Sequence, residues 1–151
     1  STLAALAMSD ALAVALVRMR GFRAEDFARL HPSGPLGRKG ARMREVVEEV
    51  AELGPETTVR DALFALARSA LPVAAVVSHG VLVGSIGETE LRDALGRGGL
   101  DEPVGRSMCC DPMAVSADAV VTEVEDTLTK MRVGFAFVVD ERGGVLGVFR
   151  V

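Results

Sequence analysis

The stretch "RLHPSGPLGRKG", residues 29 to 40, sets one histidine among three basic side chains, two prolines and three glycines. His31 is the residue type best poised to move protons near neutral pH. Arg38 and Lys39 supply cationic charge beside it, and Gly34, Gly37 and Gly40 allow positive φ or close backbone approach. Taken alone, a histidine before proline in a glycine-rich loop reads more readily as a surface turn than as a catalyst. His79 sits in "SHG" between two apolar runs, the setting of a solvent-facing turn. The adjacent Cys109 and Cys110 have a spacing that rarely closes a disulfide, and they lack the second ligand pair of a zinc site, so no metal is expected. Met108 and Met113, on either side, are expected to fill core gaps.

These groups must be held by a chain of 151 residues, 49% of them hydrophobic, enough for one domain or two small ones. The longest apolar run is broken by Ser9 and Asp10 and is too short for a membrane span. It also lacks the flanks of a signal peptide. A cytoplasmic protein is expected. Residues 1 to 44 hold eight Lys and Arg against three Asp and Glu, whereas the remainder holds nine against eighteen, so the two parts suit different surroundings. Nucleic acid is a poor partner, because no Trp or Tyr is available for base stacking.

The opening "STLAALAMSDALAVALVRMRG" reads as a helix apolar on nearly all sides, which requires cover on several faces. "AEDFARL" makes a short second helix. From Met43 the pattern changes to alternating elements. "TTVRDALFALARSA" is a helix with Thr57 or Thr58 as N-cap, "PVAAVVS" and "VLVGSI" are strands about the "HG" turn, and "ETELRDALGRG" is a helix stopped by glycine. The pattern then recurs. Val59 to Val77 aligns with Val121 to Val139 at a constant offset of 62, and one extra residue in the second turn brings Gly84 onto Gly147. A repeat of this size predicts two copies about a pseudo-twofold axis. Leu63, Leu66 and Ala67, with Val124, Leu128 and Met131 in the second copy, are expected to join the copies and to pair chains.

Strand, helix, strand, strand, helix, written twice, resembles a tandem CBS domain pair over residues 43 to 151, an α/β (α+β) fold of repeated β-α-β-β-α units. "MREVV" and "VGRSMCCDPMAV" resemble the segments that lead into each module. With that pair downstream, residues 1 to 42 closely resemble the end of the sugar isomerase (SIS) domain of arabinose-5-phosphate isomerases, through about forty positions in order. Ser33 replaces that family's glycine and Pro35 its alanine. The resemblance implies three segments: 1–42, the C-terminal helices and loop of a truncated SIS domain; 43–99, the first CBS domain; and 100–151, the second, lacking its last helix. It implies a piece of a longer enzyme that interconverts D-ribulose 5-phosphate and D-arabinose 5-phosphate. His31 falls at the family's active-site histidine. The catalytic lysine and glutamates would precede Ser1, so the chain alone is expected to be inactive. No cofactor is implied.

CBS pairs of this kind bind adenine nucleotides through T-x-x-D after the final strand. Here Gly87 and Glu90 occupy those positions in the first copy, and Arg150 takes the Thr position in the second. Neither motif is intact. The pathway to Kdo suggests CMP-Kdo as an alternative feedback ligand for lipopolysaccharide synthesis. For such an anion, Arg92, Arg97, Arg132 and Arg150 are the candidate partners. A third possibility is assembly alone, with a homodimer through the CBS domains, a tetramer in the parent enzyme, and the SIS domain of the same chain as the neighbour.

Overall fold

Alternation along Val73–Ser78 decides the architecture. Ala74 and Val76 point to one side, where they are buried with Val59, Ala62, Leu91 and Ala94. Val73 and Ala75 point to the other, where they meet Phe137 and Val148 of the second repeat. A strand with no polar face must be covered on both, and its covers are helices on one side and the partner repeat on the other. The computed structural model describes residues 40 to 151. The short β1 (Ala51–Leu53), β2 (Val73–Ser78) and β3 (Val81–Gly87) form a three-stranded sheet in the order β1-β2-β3, parallel then antiparallel. Helix α1 (Val59–Arg68) joins β1 to β2, and α2 (Glu88–Gly96) follows β3. The second repeat places β4 (Ala114–Ser116), α3 (Val121–Met131), β5 (Phe135–Val139) and β6 (Val145–Arg150) in the same arrangement, with sheet order β4-β5-β6.

Local chemistry accounts for the boundaries. Thr58, extended, caps α1 by accepting from the Asp61 amide at 3.1 Å, so it is the second threonine of the pair that starts the helix. In the first hairpin His79 (φ 51) and Gly80 (φ 78) both take left-handed backbone, which joins Ser78 to Val81 in a two-residue turn. The second hairpin is longer, and the Asp140 carboxylate takes over its turning. Its Oδ1 accepts from the amides of Arg142 and Gly144, each at 2.8 Å. Those bonds hold the Asp140 carboxyl below its ordinary range.

The repeats are interleaved as well as adjacent. The segment before β1 bonds to the second repeat, with the Met43 amide donating to Ala119 O and that of Arg44 to Ala117 O, each at 3.0 Å. The segment before β4 bonds to the first, with the Val104 amide reaching Thr57 O at 2.7 Å. Met43 and Val104 are fully buried by these crossings. Each lead-in then runs antiparallel to the far repeat's last strand, Glu48 against Val148 and Cys109 against Ser85. Gly84 and Gly147 make that approach possible. A β-carbon on Gly84 would stand 2.6 Å from Met108 Sδ and 2.7 Å from Cys109 O, and one on Gly147 would collide with Glu48 O. The aligned glycines of the repeat are the places where one half's backbone lies on the other's.

The expectation that these helix faces join the two repeats needs correction. Leu63 and Leu66 pack into the core of their own repeat, Ala67 is exposed, Val124 and Leu128 are buried, and Met131 is 57% exposed. What joins the repeats is the sheet faces and the crossed lead-ins. The geometric cause is that Val59, Ala62, Leu63 and Leu66 form a stripe that the sheet beneath α1 takes up, while Phe64 is left outside at 65% exposed.

Candidate functional site

Crossing the lead-ins leaves a cleft where β2, β3 and the start of α2 face the segment before β4 and the edge of β5. A cavity of about 420 Å³ occupies it. Its apolar lining comes from Pro72 and Val73 of the first repeat and from Met113, Phe135 and Phe137 of the second. The two phenylalanines meet edge to face, with ring centroids 5.8 Å apart and planes at 86°, so they stiffen one wall. The polar lining is Ser85, Thr89, Glu88, Glu90 and Asp111, together with the Cys109 thiol. Every charged residue of the lining is a carboxylate. A larger hollow of about 640 Å³ lies beside α1, around Asp61, Phe64 and Arg68, but it draws on the first repeat alone. The cavity between the repeats is the better candidate, because both halves build it and a bound molecule would therefore report on their relation.

Of the sequence candidates, Gly87 and Glu90 line this cavity. Glu90 already has a partner: its Oε2 accepts from the Gly87 amide at 2.9 Å and closes the first turn of α2. The other four stand outside the lining. Arg92 pairs with Glu88 one turn back along α2, Arg97 donates to Ser107 Oγ at 2.8 Å, and Arg132 ends α3 in left-handed backbone, exposed. Arg150 forms a two-pronged pair with Glu48, Nε to Oε1 at 2.9 Å and a terminal nitrogen to Oε2 at 2.6 Å. That contact lowers the carboxyl of Glu48 and raises the guanidinium of Arg150 from their ordinary values. His31, with Gly34, Gly37, Arg38 and Lys39, lies outside the described residues. His79 is exposed in its turn, its Nδ1 3.0 Å from Ser78 Oγ.

Ser85, Asp111, Phe135 and Phe137 were not singled out by sequence. The signal was present in the repeat, since Phe135 aligns with Val73, but the alignment pairs like with like and the cavity is built from unlike halves. Among the described residues no group of His, Cys, Asp and Glu is placed to hold a metal ion, and no helix is long and apolar enough to cross a membrane.

Comparison with known proteins agrees with this geometry. The CBS domain family matches residues 43–97 and 104–151. The arabinose 5-phosphate isomerase GutQ of Salmonella typhi is 36% identical over 160 aligned residues, covering all of this chain and 49% of GutQ. The arabinose 5-phosphate isomerase KdsD of Pseudomonas aeruginosa is 36% identical over 148, covering 93% of this chain and 45% of KdsD. The chain thus spans about half the length of the curated relatives it matches. Among solved structures, the CBS domain pair of protein MJ0100, in complex with 5′-methylthioadenosine and S-adenosyl-L-methionine, superposes with a TM-score of 0.63 at 19% identity, covering 73% of this chain and 89% of that one. With two matched modules over most of its length, the chain belongs to the CBS domain family as a tandem pair, and resembles arabinose 5-phosphate isomerases throughout.

Proposed function

We propose that this chain is the regulatory CBS pair of a sugar-phosphate isomerase acting on D-arabinose 5-phosphate and D-ribulose 5-phosphate, and that it takes a nucleoside-like small molecule in the cavity between its repeats. The reading divides the chain at 1–42, 43–99 and 100–151 and keeps His31 as a proton shuttle of the whole enzyme. The observation that carries the ligand reading is the make-up of the cavity. Apolar and aromatic walls suit a planar ring, while Ser85, Thr89, Glu90 and Asp111 suit hydroxyl groups that donate to carboxylates. Among the described residues of the lining Glu88 is balanced by Arg92, while Glu90 and Asp111 have no basic partner, and this net negative charge favours a neutral or cationic ligand over a phosphate-rich one. Proteins of this fold are found with such ligands, 5′-methylthioadenosine and S-adenosyl-L-methionine on MJ0100, and also with phosphorylated ones, AMP on PAE2072 and ATP on MgtE, so it is the carboxylate rim and not the fold that supports the preference.

CMP-Kdo remains the second reading, because the relatives are arabinose 5-phosphate isomerases. It requires the anion to lie beyond the carboxylate rim. Assembly without a ligand is the third. Calorimetric titration of the chain with adenosine, 5′-methylthioadenosine, AMP, ATP and CMP-Kdo separates them. The proposal expects saturable binding of adenosine or 5′-methylthioadenosine that weakens as phosphates are added and is lost in Phe135→Ala, which truncates the partly exposed aromatic wall and leaves the buried Phe137 in place. Selective CMP-Kdo binding would replace it with an end-product sensor, and no binding by any of the five would leave assembly.

A further inference from the structure

Ser85 is the one buried polar side chain among the described residues, 8% exposed on a sheet face that is otherwise apolar. Its pairing puts it opposite Ala75 on one side and Cys109 on the other, on the face where Val73 and Ala75 meet Phe137 of the second repeat. The fold does not require a hydroxyl there. The repeat sets Ser85 at the position of Val148, which lies opposite Phe137 as Ser85 lies opposite Ala75, and Val148 is fully buried in an apolar cluster. A buried hydroxyl without a partner destabilises a fold. Ser85 Oγ makes no hydrogen bond among the described residues. No fully enclosed side-chain oxygen or nitrogen among them is unpaired, so this oxygen opens onto the cavity that Ser85 lines. We propose that Ser85 determines the specificity of that cavity, its Oγ accepting a hydrogen bond from an amino group on the planar ring of the ligand.

The main chain around Ser85 is already committed. The amides of Ser85 and Cys109 donate to each other's carbonyls at 2.9 and 2.8 Å, that of Gly87 donates to Glu90 at 2.9 Å, and that of Phe137 to Met113 O at 2.8 Å. The hydroxyl is therefore the group on this wall with capacity to read a ring edge. It stands on the lining it shares with Phe135 and Phe137, the surfaces that suit a flat heterocycle. A hydroxyl can donate or accept. Glu90 and Asp111 on the same lining make the local potential negative, which favours a donor on the ligand and a hydroxyl that accepts from it. An amino-substituted heterocycle meets that condition, whereas a ring carbonyl would bring its negative end into the same potential. This deepens the preceding reading and rests on it for the occupant of the cavity.

Two measurements on the full chain test the inference, one of them without ligand. Ser85→Val copies the residue at the equivalent place, and it is expected to raise the urea midpoint of the ligand-free chain, because the wild type carries an unpaired hydroxyl. A lowered midpoint would show that the hydroxyl serves the fold and would overturn the proposal. Calorimetric titration then compares adenosine with purine riboside, which lacks the amino group. Wild type is expected to bind adenosine about tenfold more tightly, and Ser85→Ala to bind the two equally. A preference for adenosine that survives in Ser85→Ala, or equal affinities in wild type, would sink the role of Ser85 and leave the cavity reading standing. Binding of neither nucleoside by wild type would count against both.

Discussion

A methyl group at Gly84 would press on Met108 Sδ at 2.6 Å and on Cys109 O at 2.7 Å, and the second contact is with backbone that cannot swing aside. Gly84→Ala is therefore expected to destabilise the chain by about 1–3 kcal/mol, the usual range for overpacking. Gly80→Ala, where a β-carbon meets nothing within 4 Å, bears only the strain of its φ of 78°. Urea midpoints of the two variants check this, and equal losses would show that conformation, not contact, fixes Gly84. Asp140 makes a different kind of prediction. Its folded pKa lies below its ordinary value of 3.8 because the Gly144 and Arg142 amides bond the ionised form. A lowered folded value means that its stabilisation is complete above the unfolded pKa and is lost as pH falls through the folded one. Carboxyl resonances followed through acid titration should place Asp140 below 3.8, and Asp140→Asn should flatten the acid limb of stability. The repeat alignment made Gly84 and Gly147 visible in the sequence. Their reason was not visible, because the backbone each one touches is in the other half of the chain.

The elements were legible where one stripe or one alternation decides them. The apolar stripe of α1, the period of β2 and the "HG" turn all follow from neighbours in sequence. Thr57 and Thr58 were equivalent as caps until the Asp61 amide chose Thr58. Thr58→Ala should cost about 1 kcal/mol in urea unfolding, while Thr57→Ala should fall well short of that. What the elements pack against was less legible. Leu63 and Leu66 have the spacing of an interface, yet a helix over its own sheet shows the same spacing. The cavity was hidden for a related reason. Only its first-repeat half, Gly87 and Glu90, could be found by motif, because Asp111, Phe135 and Phe137 reach it through a crossing that no local pattern encodes.

At the scale of the whole molecule the crossing makes the two repeats one folding unit. Val104, which precedes β4, is fully buried among Val59, Ala62 and Ile86 of the first repeat, and Met43, which precedes β1, is fully buried after bonding to Ala119 of the second. Phe137 is equally buried, between Leu71, Val73 and Ala75 of the first repeat and Val148 of its own. Removing either repeat strips the other of its lead-in cover, exposes the edge of its last strand, and opens the apolar face that joins the sheets. A chain of this design should unfold by urea in a single transition with fluorescence-independent probes in agreement, since neither half has a complete core. Residues 43 to 99 alone should give a collapsed species without a cooperative transition. Phe137→Ala should lower the stability of the whole by about 3–5 kcal/mol while keeping one transition, because the cavity it leaves belongs to both halves. Two resolved transitions in Phe137→Ala would mean that each repeat is stable without the other. The cleft between them would then be a contact of independent domains, and a ligand there would gain no leverage over the fold.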